Sequence, residues 1–186
     1  MLGRKLFHAS GILVVLVYRL VPLERWLAAA LLWSLVALLA GIDLLRARSP
    51  ALQAAFQRWL RLILDKKDEH GWNGSTLYFA GCAIAVTTTS PDAACAGILA
   101  LALGDPSAAI IGSNLRSPRW GKVSVAGSLA CFVAASLGCR IFFGWPLSLA
   151  GGAAASLLEA ISGSKFDNLV IPVGVALLLA LLGAAS

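Results

Sequence analysis

Asp105, Glu159 and Asp167, the last followed directly by Asn168, are acidic and amide side chains set in or beside strongly apolar runs. An ionisable group at membrane depth is costly and marks a functional site by default. Carboxylates with an amide are hard oxygen ligands, the set that magnesium takes when substrate phosphates complete its shell. Arg116, Arg119 and Lys122 add cationic donors nearby, and Gly121, Gly127 and Ser128 form small turns where backbone N–H groups can approach phosphate oxygens. Together these groups suit a metal-assisted nucleotide triphosphate and phosphoryl transfer, which depends on positioning and charge neutralisation. Asp105 and Asp167 are the expected metal-binding or catalytic carboxylates, with Glu159 as general base or as a group that orients them. Asn168 is expected to orient the metal or phosphate, so the metal set is Asp105, Asp167 and Asn168. No Walker A loop or protein-kinase glycine loop is present.

These residues need a membrane scaffold. The chain has 186 residues, 59% hydrophobic and 13% charged, with mean hydropathy +0.85, too apolar for a soluble domain of this length. The expected fold is all-α, a single transmembrane domain over residues 1–186 built as a polytopic helical bundle. Seven spans are expected, near Leu6–Val21, Trp26–Leu45, Ser75–Ser90, Ala93–Asn114, Val125–Phe143, Pro146–Ser162 and Leu169–Ala185, with six as the alternative. The opening residues resemble a signal peptide, but Arg19, Pro22, Glu24 and Arg25 interrupt that pattern and the first span is expected to be retained.

Seven spans organise the charge. Of the 15 basic residues, all but Arg19, Arg25 and Arg140 fall on the side of the N-terminus. By the positive-inside rule this side is cytoplasmic, and the net charge of +6 then reflects topology and requires no nucleic acid. A cytoplasmic amphipathic helix is expected over Ser49–His70. Pro106 lacks an N–H and is expected to break the fourth span, leaving Asp105 to cap a new half-helix. Pro172 is expected to free the carbonyl of Asn168. The four cysteines lack CxxC spacing and read as packing residues.

In this projection the polar residues share one end of the bundle. Arg4, His8 and Gly11 lie on one face of the first span, and Asp43 and Arg46 on one face where the second ends. Arg4, Lys5 and His8 are expected to bind the nucleotide or hold Asp43. Small residues line three stripes, beginning at Asp105, Gly127 and Gly152, and suit close helix packing.

On Arg4-Lys5-Leu6-Phe7-His8 with Gly11, the Gly104-Asp105 to Gly112 segment with Ala108, Gly127-Ser128-Leu129-Ala130, and Glu159 followed by Asp167-Asn168-Leu169 and Pro172, the chain resembles the family of dolichol kinase, phytol kinase and the CTP-using diacylglycerol kinase. The resemblance runs over almost the whole chain. It implies transfer of the terminal phosphate of CTP to the hydroxyl of a lipid alcohol, with Mg²⁺ as the metal and the bilayer as the source of substrate. It also implies that Gly104, Ala108 and Gly112, with the loop through Lys122, Gly127 and Ser128, hold the CTP. The family's lysine and glutamate before the Gly-Ser turn are replaced by Val123 and Ala126, and Lys122 is the nearest cation. A phosphatidate cytidylyltransferase-like enzyme and a small transporter are the alternatives, and assembly as a homo-oligomer is compatible with the sequence.

Overall fold

The computed structural model describes residues 2–60, 71–121, 123–162 and 166–184. Among them are eight helices: α1 (Leu2–Leu20), α2 (Arg25–Arg48), α3 (Pro50–Leu60), α4 (Gly74–Thr88), α5 (Pro91–Asn114), α6 (Val125–Arg140), α7 (Trp145–Ile161) and α8 (Asp167–Gly183). Seven of these coincide with the expected apolar segments, and α3 falls within the expected amphipathic stretch, whose residues 61–70 lie outside the described residues. Two helices, α2 and α5, are long and apolar enough to cross a membrane by length and composition.

α5 is the hub. It packs against α1, α4, α6, α7 and α8, and its residues from Ala93 to Ala102 are all buried. Small side chains make this possible, because Ala and Gly let backbones approach. A Cβ on Gly97 would collide with the Pro172 carbonyl of α8, and one on Gly138 of α6 would press into Leu99 and Leu103. On α7, a Cβ at Gly152 would collide with Ser136 of α6. The small-residue stripes are therefore helix seams. The outer surface is apolar instead of charged, with Leu13, Leu20, Leu38, Leu129 and Leu181 all more than half exposed, a surface that soluble monomers avoid.

Pro106 does not break the fourth segment. α5 runs unbroken through it, so Asp105 sits inside a helix and is no N-cap. An interior proline costs about 3 kcal/mol, and packing on five neighbouring helices outweighs that loss here. Residues Thr87, Thr88 and Thr89 also stay with their helix, their hydroxyls donating to the carbonyls of Ala83, Ile84 and Ala85. One feature departs from all-α: a short antiparallel hairpin pairs β1 (Arg119–Trp120) with β2 (Val123–Ser124). Gly121 makes its turn possible by adopting φ +62°, a conformation disfavoured for residues with a side chain.

Two ends of the bundle differ chemically. At one end Arg19 pairs with Asp92 at 2.9 Å and covers the Phe142 ring. There too Arg25 donates to the Val86 and Thr87 carbonyls, and Arg140 lies over Trp145. The other end collects Asp43, Asp105, Glu159, Asp167, Asn73, Asn168 and His8.

Candidate active site

The most informative contact joins residues 97 positions apart in the chain: His8 Nδ1 of α1 lies 3.3 Å from Asp105 Oδ2 of α5, with both side chains buried. His8 thus pairs with Asp105 and not with Asp43, while the side chains of Arg4 and Lys5, expected to bind the nucleotide or hold Asp43, lie outside those described. His8 is itself positioned by Tyr78 of α4, whose hydroxyl donates to the His8 carbonyl at 3.3 Å and whose ring meets the imidazole edge-on. Gly11 makes room for that tyrosine, since a Cβ there would collide with the Tyr78 hydroxyl and lie 3.0 Å from Ala102. Arg4 and Lys5 lie in α1, on the same terminal turns.

Asp43 has its own partners. Oδ1 accepts from Arg46 Nε at 2.9 Å, and Oδ2 accepts from the Asn73 N–H at 2.9 Å and the Thr76 hydroxyl at 2.7 Å. Arg46 in turn donates to the Gly71 carbonyl and covers the Phe56 ring. The pair is buried and fully engaged, so it ties the end of α2 to the start of α4 and to α3. Asn73 caps α4 by accepting from the Ser75 N–H at 3.2 Å. Asn168 of α8 then donates its amide to the Gly74 carbonyl at 3.1 Å, which extends the polar network to the next element.

The acids converge on this end. Glu159, in the last turn of α7, is near enough to Asp105, Asp167 and the Cys131 thiol of α6 to interact electrostatically with them. Asp167 Oδ1 accepts from the N–H of Asn168 at 2.8 Å, an acid at a helix start where the dipole favours it. Among the described residues, the buried side-chain oxygens with no hydrogen-bond partner include Glu159 Oε2 and Asn168 Oδ1 at this end. Buried acceptors are rarely left unpaired, and one at a polar site is explained by an absent ion, water or substrate. Among the described residues no three His, Cys, Asp or Glu side chains form a set that could hold a metal ion. Glu159 Oε2 and Asn168 Oδ1 are hard oxygens of the type magnesium takes alongside water and phosphate.

The residues expected to cradle the nucleotide lie along the seam between α5 and α6. Gly104 faces Cys131, where a Cβ would come 3.0 Å from its Sγ, and a Cβ on Gly112 would come 2.8 Å from Ser124 Oγ and 3.4 Å from the Gly127 Cα. Ala108 is buried, and its carbonyl faces Gly127. The N–H groups at the start of α6 are engaged: Val125 with the Pro118 carbonyl, Ala126 with Ser117 Oγ and Gly127 with Ser124 Oγ at 3.1 Å. The Gly127 N–H, expected as a close donor to phosphate, is engaged here in the cap of α6 by Ser124. Ser128 accepts at its carbonyl from the Ser156 hydroxyl of α7. Arg116 and Arg119 are exposed on the segment between α5 and α6, and Lys122 lies outside the described residues.

Tyr78, Asn73 and Thr76 escaped sequence reasoning. Each is a neutral side chain whose role appears only once α4 is placed between α2, α5 and α8. Asn73 alone carried a local signal, as an N-cap residue ahead of an apolar run.

The helical bundle and its acidic end can be set beside known proteins. The chain is 29% identical to the CTP-dependent diacylglycerol kinase 1 of Eremothecium gossypii across 91% of its own length and 63% of that protein. It is 27% identical to the protein of the same name from Saccharomyces cerevisiae, across 91% of this chain and 69% of that one. The Schizosaccharomyces pombe protein of that name is 28% identical, across 75% and 74% respectively. The chain is thus similar to CTP-dependent diacylglycerol kinases of three fungi, and it spans about two thirds of the length of these relatives. No family model matches the chain, and no solved structure matches it.

Proposed function

We propose that the protein is a multi-pass membrane kinase that moves the γ-phosphate of CTP to the hydroxyl of a lipid alcohol, with diacylglycerol as the leading acceptor. The convergence of His8–Asp105, Glu159 and Asp167–Asn168 from four helices onto one end of the bundle carries this reading. The relatives' name supplies the donor and the acceptor class. Dolichol and phytol remain within the same chemistry, since each presents a primary hydroxyl on an apolar chain. The acidic end faces the cytoplasm in this reading, because all basic residues but Arg19, Arg25 and Arg140 lie toward it in the seven-span order.

In the reaction the lipid hydroxyl oxygen bonds to the γ-phosphorus, the bond to the bridging oxygen breaks, and CDP leaves. The hydroxyl proton passes to a carboxylate, and Glu159 Oε2, buried without a donor, is the acceptor assigned here. Asp105, beside His8, and Asp167 with Asn168 Oδ1 are the residues that would hold a magnesium ion, which would neutralise phosphate charge there. Arg116, Arg119 and Lys122 attract the triphosphate to this end. Gly104, Ala108, Gly112 and Gly127 act by letting α5 and α6 close, which fixes Asp105 relative to the turn at Ser128.

The test is product formation by purified protein in nanodiscs containing dioleoylglycerol, dolichol or phytol, each supplied with magnesium and either CTP or ATP. Phosphatidic acid from dioleoylglycerol and CTP is the expected product. Absence of any phosphorylated lipid with every pair would overturn the proposal.

A further inference from the structure

α4 meets the candidate site along one face. Gly74, Tyr78 and Gly81 lie at i, i+4 and i+7 of this helix and so share a side. The Gly74 carbonyl accepts from the Asn168 side-chain amide of α8 at 3.1 Å, and the Tyr78 hydroxyl donates to the His8 carbonyl of α1. A Cβ on Gly81 would come 2.8 Å from the Asn168 carbonyl oxygen and 2.7 Å from Pro172 Cγ, so the two backbones are in close approach there. The first turn of α4 is itself pinned. Asp43 Oδ2 takes the Asn73 N–H at 2.9 Å and the Thr76 hydroxyl at 2.7 Å, while Arg46 holds the other carboxylate oxygen. Asp43, Thr76 and Asn168 are all buried.

We propose that this pinned turn aims Asn168, with Asp43 and Thr76 as positioning residues: the Gly74 carbonyl takes an Nδ2 hydrogen and leaves Oδ1 for a divalent cation. Three observations carry this. A carbonyl only accepts, so the NH₂ end of the amide must face Gly74 and the oxygen must point away from it. Oδ1 is buried and has no hydrogen-bond partner among the described residues, whereas a network that only joined helices would pair it. Asn168 follows Asp167, which is near enough to Glu159 to interact with it electrostatically, and surroundings rich in negative charge favour a cation over phosphate at that oxygen. The residue type then has a reason. A carboxylate at position 168 is by itself the better ligand for a hard cation, but both of its oxygens accept and neither has a hydrogen for the Gly74 carbonyl. An amide donates at one end and accepts at the other.

The inference rests on the proposed site for what Oδ1 receives, and metal binding reads it without catalysis. Wild-type protein in phosphatidylcholine nanodiscs is titrated with Mn²⁺ alone, and bound ion is measured as loss of the free-ion electron paramagnetic resonance signal against empty nanodiscs. Saturable binding is expected in the wild type, weakened about tenfold or more in Asn168→Asp although that variant adds a carboxylate. Thr76→Val removes one donor from Asp43 at nearly the same volume. It is expected to weaken binding about three- to tenfold, the worth of one hydrogen bond, and Thr76→Ser is expected to restore it. The Thr76 variants give the same answer should Asn168→Asp fail to fold. No saturable binding by the wild type, binding as tight as wild type in a folded Asn168→Asp protein, or unchanged binding in Thr76→Val would overturn the inference even if phosphate is transferred. The expected binding pattern without phosphate transfer to any lipid would leave the positioning of Asn168 standing and remove the kinase reading instead.

Discussion

Asp105 and Asp43 are both buried carboxylates, and their surroundings give them different work. Asp43 receives three donors, one of them the Arg46 guanidinium. Asp105 faces the His8 imidazole and shares its surroundings with Glu159. Removing Asp43 by Asp43→Ala leaves Arg46 buried without its carboxylate, and breaking a buried pair in this way costs about 3–5 kcal/mol. Detergent-stability measurements are therefore expected to show a large loss for Asp43→Ala. Asp105→Asn keeps the volume and the helix, so stability is expected to stay close to wild type while turnover falls on the order of 10²-fold or more, the scale of losing one charge-stabilising group. Near-normal turnover in Asp105→Asn would make that residue structural. The sequence made Asp105, Glu159, Asp167 and Asn168 visible because each is polar in or beside an apolar run. It concealed the His8–Asp105 pair, since no spacing rule links residues on two distant helices.

α5 shows how an element can override its own local signal. Pro106 marks a break by backbone chemistry, yet five packed neighbours hold the helix continuous. Pro106→Ala is accordingly expected to keep fold and activity and to raise stability, by at most about 3 kcal/mol; loss of the fold by circular dichroism would show that the break is needed. At the seams the prediction reverses. Gly112→Leu drives a side chain into Ser124 and the start of α6, and overpacking of this kind costs about 1–3 kcal/mol, measurable as a lowered melting temperature. Stripes of glycine and alanine were legible as packing surfaces, and they paired as α5 with α6 and α6 with α7. The hairpin at Arg119–Ser124 was not legible, because two-residue strands leave too short an alternating pattern to detect.

Across the whole molecule, helix order and chemistry agree. Seven apolar helices alternate so that the start of α1, the ends of α2 and α7, and the starts of α4, α6 and α8 meet at one end with the second half of α5. Arg19, Arg25 and Arg140 mark the opposite end. Apolar composition and charge distribution made that polarity readable before any coordinates, because both depend on sums over many residues. The fine geometry depended on which helices touch, and pairing of helices is not written in any single segment. A transport path would place polar groups along the length of the bundle, whereas the described core from Ala93 to Ala102 is apolar throughout. Phosphoryl transfer and cytidylyl transfer both remain chemically compatible with an acidic end that binds a triphosphate, and they differ in the phosphorus that is attacked.

That difference can be measured directly. Purified protein, dioleoylglycerol and magnesium are incubated with CTP carrying radiolabel at either the α- or the γ-phosphorus, and the extracted lipid is counted. Label from the γ position alone is the expected result, lost in Asp105→Asn. Label from the α position in the lipid product, or none from either, would contradict phosphoryl transfer at the convergence of His8–Asp105, Glu159 and Asp167–Asn168.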